Sequence, residues 1–447
     1  MPEIKIDLAK TAGKIKPMNA VNNGPLKSPI DHFPSNFESF KAANIPYARN
    51  HDASFFIGYG GEHIVDVHRI FKGFDSDEND PANYIFEPTD EYVKTTIDAG
   101  TKVFYRLGSS IEHGFKYGTR VPKDFAKWAR ICEHIIRHYT EGWANGFNYD
   151  IEYWEIWNEA DCVHPDGTSP CWQGTPEQYL ELYKVTANHL KKEFPHLKIG
   201  GPAFCNPYEN GENIQKKFLD MIERGEAPLD FYSYHWYGYE VENIADSMRE
   251  GRRQLDRRGL TSVPTILNEW NYVRGWDRDT MRYSIEMEKS LKGSAFITGV
   301  MCAGQHEPVD MLMYYDARPH SMNGMFDFPG LNCLKGYYPF VMFDALAQLG
   351  THIPTRYGTD NIYSCAATDG ENYAVMLSHY TDDDKAEGKS VTLKIEGCKN
   401  PVKASIYVLD ESRNLELTKE EQFSAGSFDV TLDMPLFTSV LLKFQKI

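Results

Sequence analysis

Two dipeptides in this chain of 447 residues set an asparagine directly before a glutamate: Asn158-Glu159 and Asn268-Glu269. The first closes the run Tyr153 to Glu159, where aromatic and β-branched residues lead into a polar pair and then a loop of Asp, His, Pro, Gly and Ser. The second closes Val263 to Glu269 and is followed by Trp270 and Asn271. Both runs have the length and composition of buried parallel strands. Two carboxylates that face each other can divide acid–base work. The more desolvated one keeps its proton and gives it to a leaving oxygen, and the other stays ionised and attacks carbon or activates water. Glycoside hydrolysis requires that division. The plain alternative for each acid is a cap on the helix that follows.

The elements that must position the pair recur in order. Helical segments near 35–43, 88–99, 122–141, 176–193, 213–224, 242–258 and 279–304 each precede an apolar strand, and a last helix runs over 336–349. The strands lie near 17–22, 45–51, 102–108, 149–159, 197–202, 229–237, 263–270 and 309–316. Counted from residue 17, this makes eight strand–helix units. Such alternation predicts an α/β fold with a parallel sheet closed into a (β/α)8 barrel. Glu159 then ends the fourth strand and Glu269 the seventh, across the barrel mouth. The same C-terminal ends carry Arg49 and His51, Arg106, His235 and Tyr237, and Tyr315-Asp316. In a barrel these ends build the site.

Strand alternation puts Tyr153, Glu155, Trp157 and Glu159 on one face. Trp157 beside Glu159 favours the protonated acid there, while Tyr237 and an arginine could donate to Glu269 and keep it ionised. That ranks Glu159 as acid and Glu269 as nucleophile. Arg49 and Arg106 share the mouth with Glu155, so they either form an inner network that holds the carboxylates or contact substrate. His51 and His235 are either sugar contacts or satisfied core histidines. Trp172 either lines an outer subsite or packs its loop. Long loops at 51–88 and 160–175 predict a walled pocket rather than an open cleft.

The net charge of −17 argues against nucleic acid or an anionic membrane surface as partner. No stretch approaches the ~20 apolar residues of a membrane span. The opening residues lack the apolar core of a signal peptide, which predicts a cytoplasmic protein, the alternative being an exported one with a trimmed leader. The eight cysteines show no C-x-x-C spacing, so a zinc site has no support in the sequence. Cys162 and Cys171 share one loop, where a disulfide is the alternative to free thiols and would imply export. The acids from Asp75 to Asp80 read as a solvated loop, a calcium site being the alternative. After Gly350 the texture turns to short alternating segments, which predicts a β-sandwich. The predicted divisions are residues 1–16, a strand that joins the sandwich; 17–350, the barrel; and 351–447, the sandwich.

The paired motifs Trp154–Glu159 and Leu267–Asn271 together resemble the retaining glycosidases of clan A, most closely glycoside hydrolase family 39, which contains β-xylosidases and α-L-iduronidases. The resemblance spans the barrel, through Asn22-Asn23-Gly24-Pro25, Arg49 and His51, Arg106-Leu-Gly, and Gly336 to Phe340. It implies that Glu159 is the general acid/base, Glu269 the nucleophile, and Asn158 a ligand of the sugar 2-hydroxyl. It implies no metal or other cofactor, a sandwich drawn from both chain ends, and it allows a homo-oligomer. The eighth strand departs from the clan pattern: where many members place Trp, this chain has Met313-Tyr314-Tyr315-Asp316. The expected protein is a retaining exo-glycosidase, β-xylosidase-like, acting on a glycoside or oligosaccharide. Asn158, His51, His235, Tyr237, Arg49, Arg106, Trp157 and Tyr315 are the candidate substrate residues. Uronide, arabinoside or galactoside specificity stays open, as does a non-catalytic carbohydrate-binding barrel.

Overall fold

The computed structural model describes residues 2–27, 34–52 and 63–447. The part of the predicted pocket wall at 53–62 lies outside the described residues. The chain opens with strand β1 (Glu3–Asp7), then β2 (Ala20–Asn22), α1 (Phe37–Ala42) and β3 (Tyr47–Asn50). The short α2 (Val67–Ile70) precedes α3 (Glu87–Asp98), β4 (Lys102–Leu107), α4 (Phe125–Thr140) and β5 (Tyr153–Ile156). Next come α5 (Pro176–Glu193), β6 (Lys198–Phe204), α6 (Ile214–Glu223), β7 (Tyr232–His235) and α7 (Val241–Asp256). The series ends with β8 (Thr265–Trp270), α8 (Arg278–Glu288), α9 (Leu291–His306), β9 (Met311–Tyr314) and α10 (Tyr338–Ala347). Strands β2 to β9 pair in parallel and close into a barrel through β9 and β2.

Local chemistry accounts for the boundaries. The Asp124 carboxylate caps α4 by accepting from the Lys127 N–H. Thr175 and Gln178 form a reciprocal capping box on α5, with Pro176 at its first turn. The one long helix expected over 279–304 is two, because Ser290 interrupts it and its hydroxyl caps α9 afresh at Lys292. A polar N-cap side chain competes with the helix it would otherwise continue.

The barrel is filled from below by Ala20, Phe104, Tyr153, Phe231, Ile266, Met311 and Met313. Bulky side chains at that level make the barrel a packed core, so polar groups can gather only toward the C-terminal end. Register shifts fall at Pro202/Phe204, Tyr234/His235 and Leu267/Trp270, where extra residues re-aim the side chains that follow.

Beyond the barrel lie β10 (Thr351–Ile353), β11 (Gly358–Thr359), β12 (Ile362–Thr368), β13 (Tyr373–His379) and β14 (Lys389–Cys398). They are followed by β15 (Val402–Leu409), β16 (Asn414–Phe423), β17 (Gly426–Met434) and β18 (Ser439–Lys446). One antiparallel sheet has the order β10-β12-β13-β18-β15-β16, with β11 on β12, and the second is β1-β14-β17. β1 runs parallel to β14 with Ile4 beside Leu393 and Ile6 beside Ile395, so the chain start is part of the C-terminal sheets as expected. Ile4, Ile6, Val375, Leu377, Leu393 and Leu442 are buried between the two sheets. The barrel and sheets share a seam along α9, where the Ser378 hydroxyl donates to the Ala295 carbonyl at 2.8 Å.

Candidate active site

Glu155 is the inward residue of β5 one level above the packed floor. Its carboxylate accepts from Arg49 Nε at 2.7 Å, Ser233 Oγ at 2.6 Å and Asn268 Nδ2 at 2.6 Å. Arg49, on β3, is fully buried and spends the rest of its guanidinium on the site above. Nη2 donates to Asn158 Oδ1 at 2.6 Å, and Nη1 donates to Glu269 Oε1 at 2.7 Å and to Asn22 Oδ1 at 3.1 Å. Burial opposes the charge on Arg49, but Glu155 and Glu269 raise its pKa further above the ordinary arginine value. This is the inner network, not a free cation.

The regular alternation of β5 ends at Ile156, and the expectation that Trp157 shares a face with Glu155 fails there. Trp157 and Glu159 both adopt positive φ, 75° and 45°, a conformation side chains rarely hold. The tip is pinned by Trp157 N–H to the Leu107 carbonyl at 2.7 Å and Glu159 N–H to the Ala203 carbonyl at 2.9 Å. Gly108 lets the backbones approach: a Cβ there would meet the Trp157 Cα at 3.0 Å, and its own φ is +139°. Trp157 consequently turns outward between Trp128 of α4 and Trp172, with its Nε1 donating to the Cys171 carbonyl. At 1% exposure it offers the mouth no face and instead props the 160–175 loop. Trp172, equally buried, is loop packing too.

The turn lifts Glu159 over the mouth toward Glu269. One carboxylate oxygen from each and a ring nitrogen of His235 lie within 4.8 Å of one another. His235 Nδ1 stands 2.8 Å from Glu159 Oε1 and 3.4 Å from Glu269 Oε2. Burial, with Arg49 nearby, pushes the His235 pKa down to about 4, so the ring is neutral at physiological pH. The Tyr237 hydroxyl donates to Glu269 Oε2 at 2.8 Å.

Both carboxylates are nearly buried, at 9% and 3% exposure for Glu159 and Glu269. Desolvation lifts Glu159 to about 8. It lifts Glu269 less, to about 7, because His235, Arg49 and the Tyr237 hydroxyl oppose it. The proton of the pair therefore rests on Glu159.

The remaining expected residues divide. Asn158 is buried with its Oδ1 held by Arg49, and its Nδ2 lacks a protein partner. His51 stands 3.5 Å from Glu269 through Nε2 and accepts from Arg106 Nε at 3.3 Å. Arg106 is itself spent on Asp66 at 2.8 Å and Ser110 at 3.0 Å, one layer behind. Tyr315 reaches the mouth, donating to Asp52 Oδ2 at 3.1 Å with its ring beside those of His51 and Tyr237. The acidic loop is locally satisfied: Asp75 pairs Lys123, Glu78 pairs Lys127 and Arg130, and Asp80 accepts from the Ala82 N–H. Cys162 and Cys171 are free thiols.

Asn22, Ser233, Asn268, Asp52 and Asp66 also support the site, beyond the residues expected from the sequence. Asn268 carried a signal, its place before Glu269, whereas nothing marks Asp66 within its long loop. Trp276 was also missed. It is 65% exposed and its ring stands edge-on to Tyr237 at 5.4 Å, an open aromatic face next to the Glu269 phenol donor.

This fold and mouth define the class of (β/α)8 proteins built around two facing carboxylates. The model of the glycosyl hydrolases family 39 matches residues 61–268 of the chain. It is 25% identical over 212 residues to a "Beta-xylosidase" of Caldicellulosiruptor saccharolyticus, covering 42% of this chain and 41% of that relative. It is 33% identical over 119 residues to a "Beta-xylosidase" of Geobacillus stearothermophilus, covering 26% of this chain and 21% of that relative. The matches thus span well under two thirds of either curated relative. Among solved structures, a glucosidase from Croceicoccus marinus superposes with a TM-score of 0.80 at 20% identity, over 100% of this chain and 99% of that one. A monomeric beta-xylosidase from Caulobacter crescentus CB15 superposes with a TM-score of 0.73 at 18% identity, over 100% of both chains. These two likenesses establish the fold alone. Among the described residues no helix is long and apolar enough to cross a membrane.

Proposed function

We propose that this chain hydrolyses glycosides by double displacement, with Glu269 as nucleophile, Glu159 as general acid/base, and a terminal neutral pentose such as β-xylose as the sugar cleaved. The observation that carries the reading is the approach of Glu159 and Glu269 to a shared distance of 4.8 Å or less around His235. Retaining enzymes hold their carboxyl groups ~5–5.5 Å apart, whereas inverting ones leave ~6.5–9.5 Å for a water.

In this mechanism Glu269 attacks the anomeric carbon while Glu159 gives its proton to the departing oxygen. Water, deprotonated by Glu159, then releases the sugar. Arg49 and Tyr237 hold Glu269 in position and keep its negative charge accessible. The unpartnered Asn158 Nδ2 supplies a donor for the sugar 2-hydroxyl, and the His235 ring stands between the two acids. His51, Tyr315 and Trp276 shape the mouth.

The neutral sugar is favoured over a uronide because the two arginines expected to meet a substrate carboxylate are buried and ion-paired, Arg49 to Glu155 and Glu269, Arg106 to Asp66. A panel of aryl β-xylosides, β-glucosides, β-galactosides, α-arabinosides and uronides tests this, with proton NMR of the first product anomer. The reading expects fastest release from the β-xyloside and a β-anomer as first product. Turnover of the uronide alone would overturn the sugar assignment, and a first-formed α-anomer would overturn the mechanism.

A further inference from the structure

Three cysteines from two separate loops converge on the same glutamate. Cys162 and Cys171 belong to the loop after β5, and Cys205 follows β6 directly. Ligand atoms of Glu159, Cys162 and Cys205 lie within 4.8 Å of one another, and Cys171 Sγ stands 3.7 Å from Glu159 Oε2. The β6 loop is anchored for this approach: Asp161 accepts the Cys205 N–H at 2.9 Å and Gln215 Nε2 at 2.7 Å. The proposed double displacement uses none of these sulfurs.

The geometry suits a thiophilic cation. Zinc takes four ligands at about 2.3 Å to sulfur and 2.0–2.2 Å to carboxylate oxygen, which sets neighbouring ligand atoms ~3.3–3.8 Å apart. Ligand atoms already within 4.8 Å need only small side-chain rotations to reach that spacing. An entry path exists, since Cys162 and Cys205 line a cavity of about 950 Å³ together with Trp172, Asn206 and Tyr208. We propose that Cys162, Cys205 and Glu159, with Cys171 as fourth ligand, form a binding site for Zn2+ or a similarly thiophilic divalent cation, and that its occupation switches hydrolysis off.

Binding displaces the thiol protons to solvent and involves no electron transfer. The loss of activity follows because a carboxylate bound to the cation cannot carry the proton for the leaving group; this second half rests on the proposed role of Glu159, whereas the binding itself does not. The full chain, purified and stripped with chelator, is titrated with Co2+ in the near ultraviolet and with Zn2+ by calorimetry. The expected result is one Zn2+ per chain, a thiolate-to-Co2+ charge-transfer band, and inhibition that EDTA reverses. Cys205→Ser and, separately, the partly exposed Cys162→Ser weaken Zn2+ affinity at least ~10-fold and relieve inhibition relative to each variant's own metal-free rate. A Co2+ complex without the thiolate band overturns the site, as does unchanged Zn2+ affinity in both folded serine variants, which would assign the metal to Glu159, His235 and Glu269 instead. Stoichiometric thiolate binding without inhibition overturns only the switch.

Discussion

Arg49 and Glu269 meet at 2.7 Å at the top of the barrel, while the same guanidinium pairs with Glu155 at 2.7 Å one layer below. The arginine thus links the buried floor of the site to its upper pair of carboxylates. A buried charge network of this kind is costly to break on one side, because the partners left behind keep their charge without solvent. Arg49→Met is expected to destabilise the fold by about 3–5 kcal/mol in chemical denaturation. Because Arg49 lowers the Glu269 pKa, its loss also moves the acidic limb of the pH–rate profile upward.

Tyr237→Phe removes a single hydroxyl that donates to Glu269 Oε2. A hydrogen bond to a charged group contributes about 1.5–3 kcal/mol, so kcat/KM falls by roughly 10- to 150-fold. Steady-state kinetics of the variant check this, and an unchanged kcat/KM would remove Tyr237 from the positioning of Glu269.

The pH dependence follows from the two lifted carboxyls. kcat/KM falls below about pH 7 as Glu269 takes up a proton, and above about pH 8 as Glu159 loses its own. In Glu159→Gln the basic limb disappears. The acidic limb shifts down, since Glu159 raises the pKa of its partner. That variant loses about 10²- to 10⁴-fold in rate on substrates with poor leaving groups, the usual range for a lost general acid.

Stability carries the same signature. Glu159 is raised in the folded state from 4.5 to about 8, so folding favours its neutral form. Stability is present below the unfolded value, falls as pH rises from there, and bears the full penalty above about pH 8. Melting curves of Glu159→Gln are expected to show a larger gain over the parent at pH 8.5 than at pH 5.5.

Trp157, expected among the substrate residues, is packed away from the mouth, whereas Trp276 presents an exposed ring beside Tyr237. Trp157→Ala empties a packed site and is expected to cost about 3–5 kcal/mol of stability. Trp157→Phe, which keeps most of the packing, leaves KM for aryl glycosides unchanged. Trp276→Ala is expected to leave the melting temperature within a degree or two and to raise KM. The reverse pattern would return Trp157 to the substrate site.

The barrel was legible because its strands are buried on both faces and its helices are punctuated by caps, two signals that survive in composition and order. The strand ends at Glu159 and Glu269 were legible for the same reason. The direction of Trp157 was not, because the two-residue period holds only while φ stays negative, and the left-handed turn over Trp157 and Glu159 depends on Gly108 and on pairing with β4 and β6. Asp66 escaped notice because Arg106 binds it across the fold, 40 positions away. The cysteine cluster was equally hidden: Cys205 joins Cys162 only once β5 and β6 lie side by side.

In the proposed double displacement Glu269 forms a covalent bond with the sugar. Incubation with an activated 2-deoxy-2-fluoro-β-xyloside, followed by protease digestion and tandem mass spectrometry, reads this directly. Stoichiometric inactivation is expected, with the adduct on the carboxylate of Glu269 and no adduct in Glu269→Ala. An adduct on Glu159 or elsewhere, or turnover with inverted product and no trapped intermediate, would contradict it.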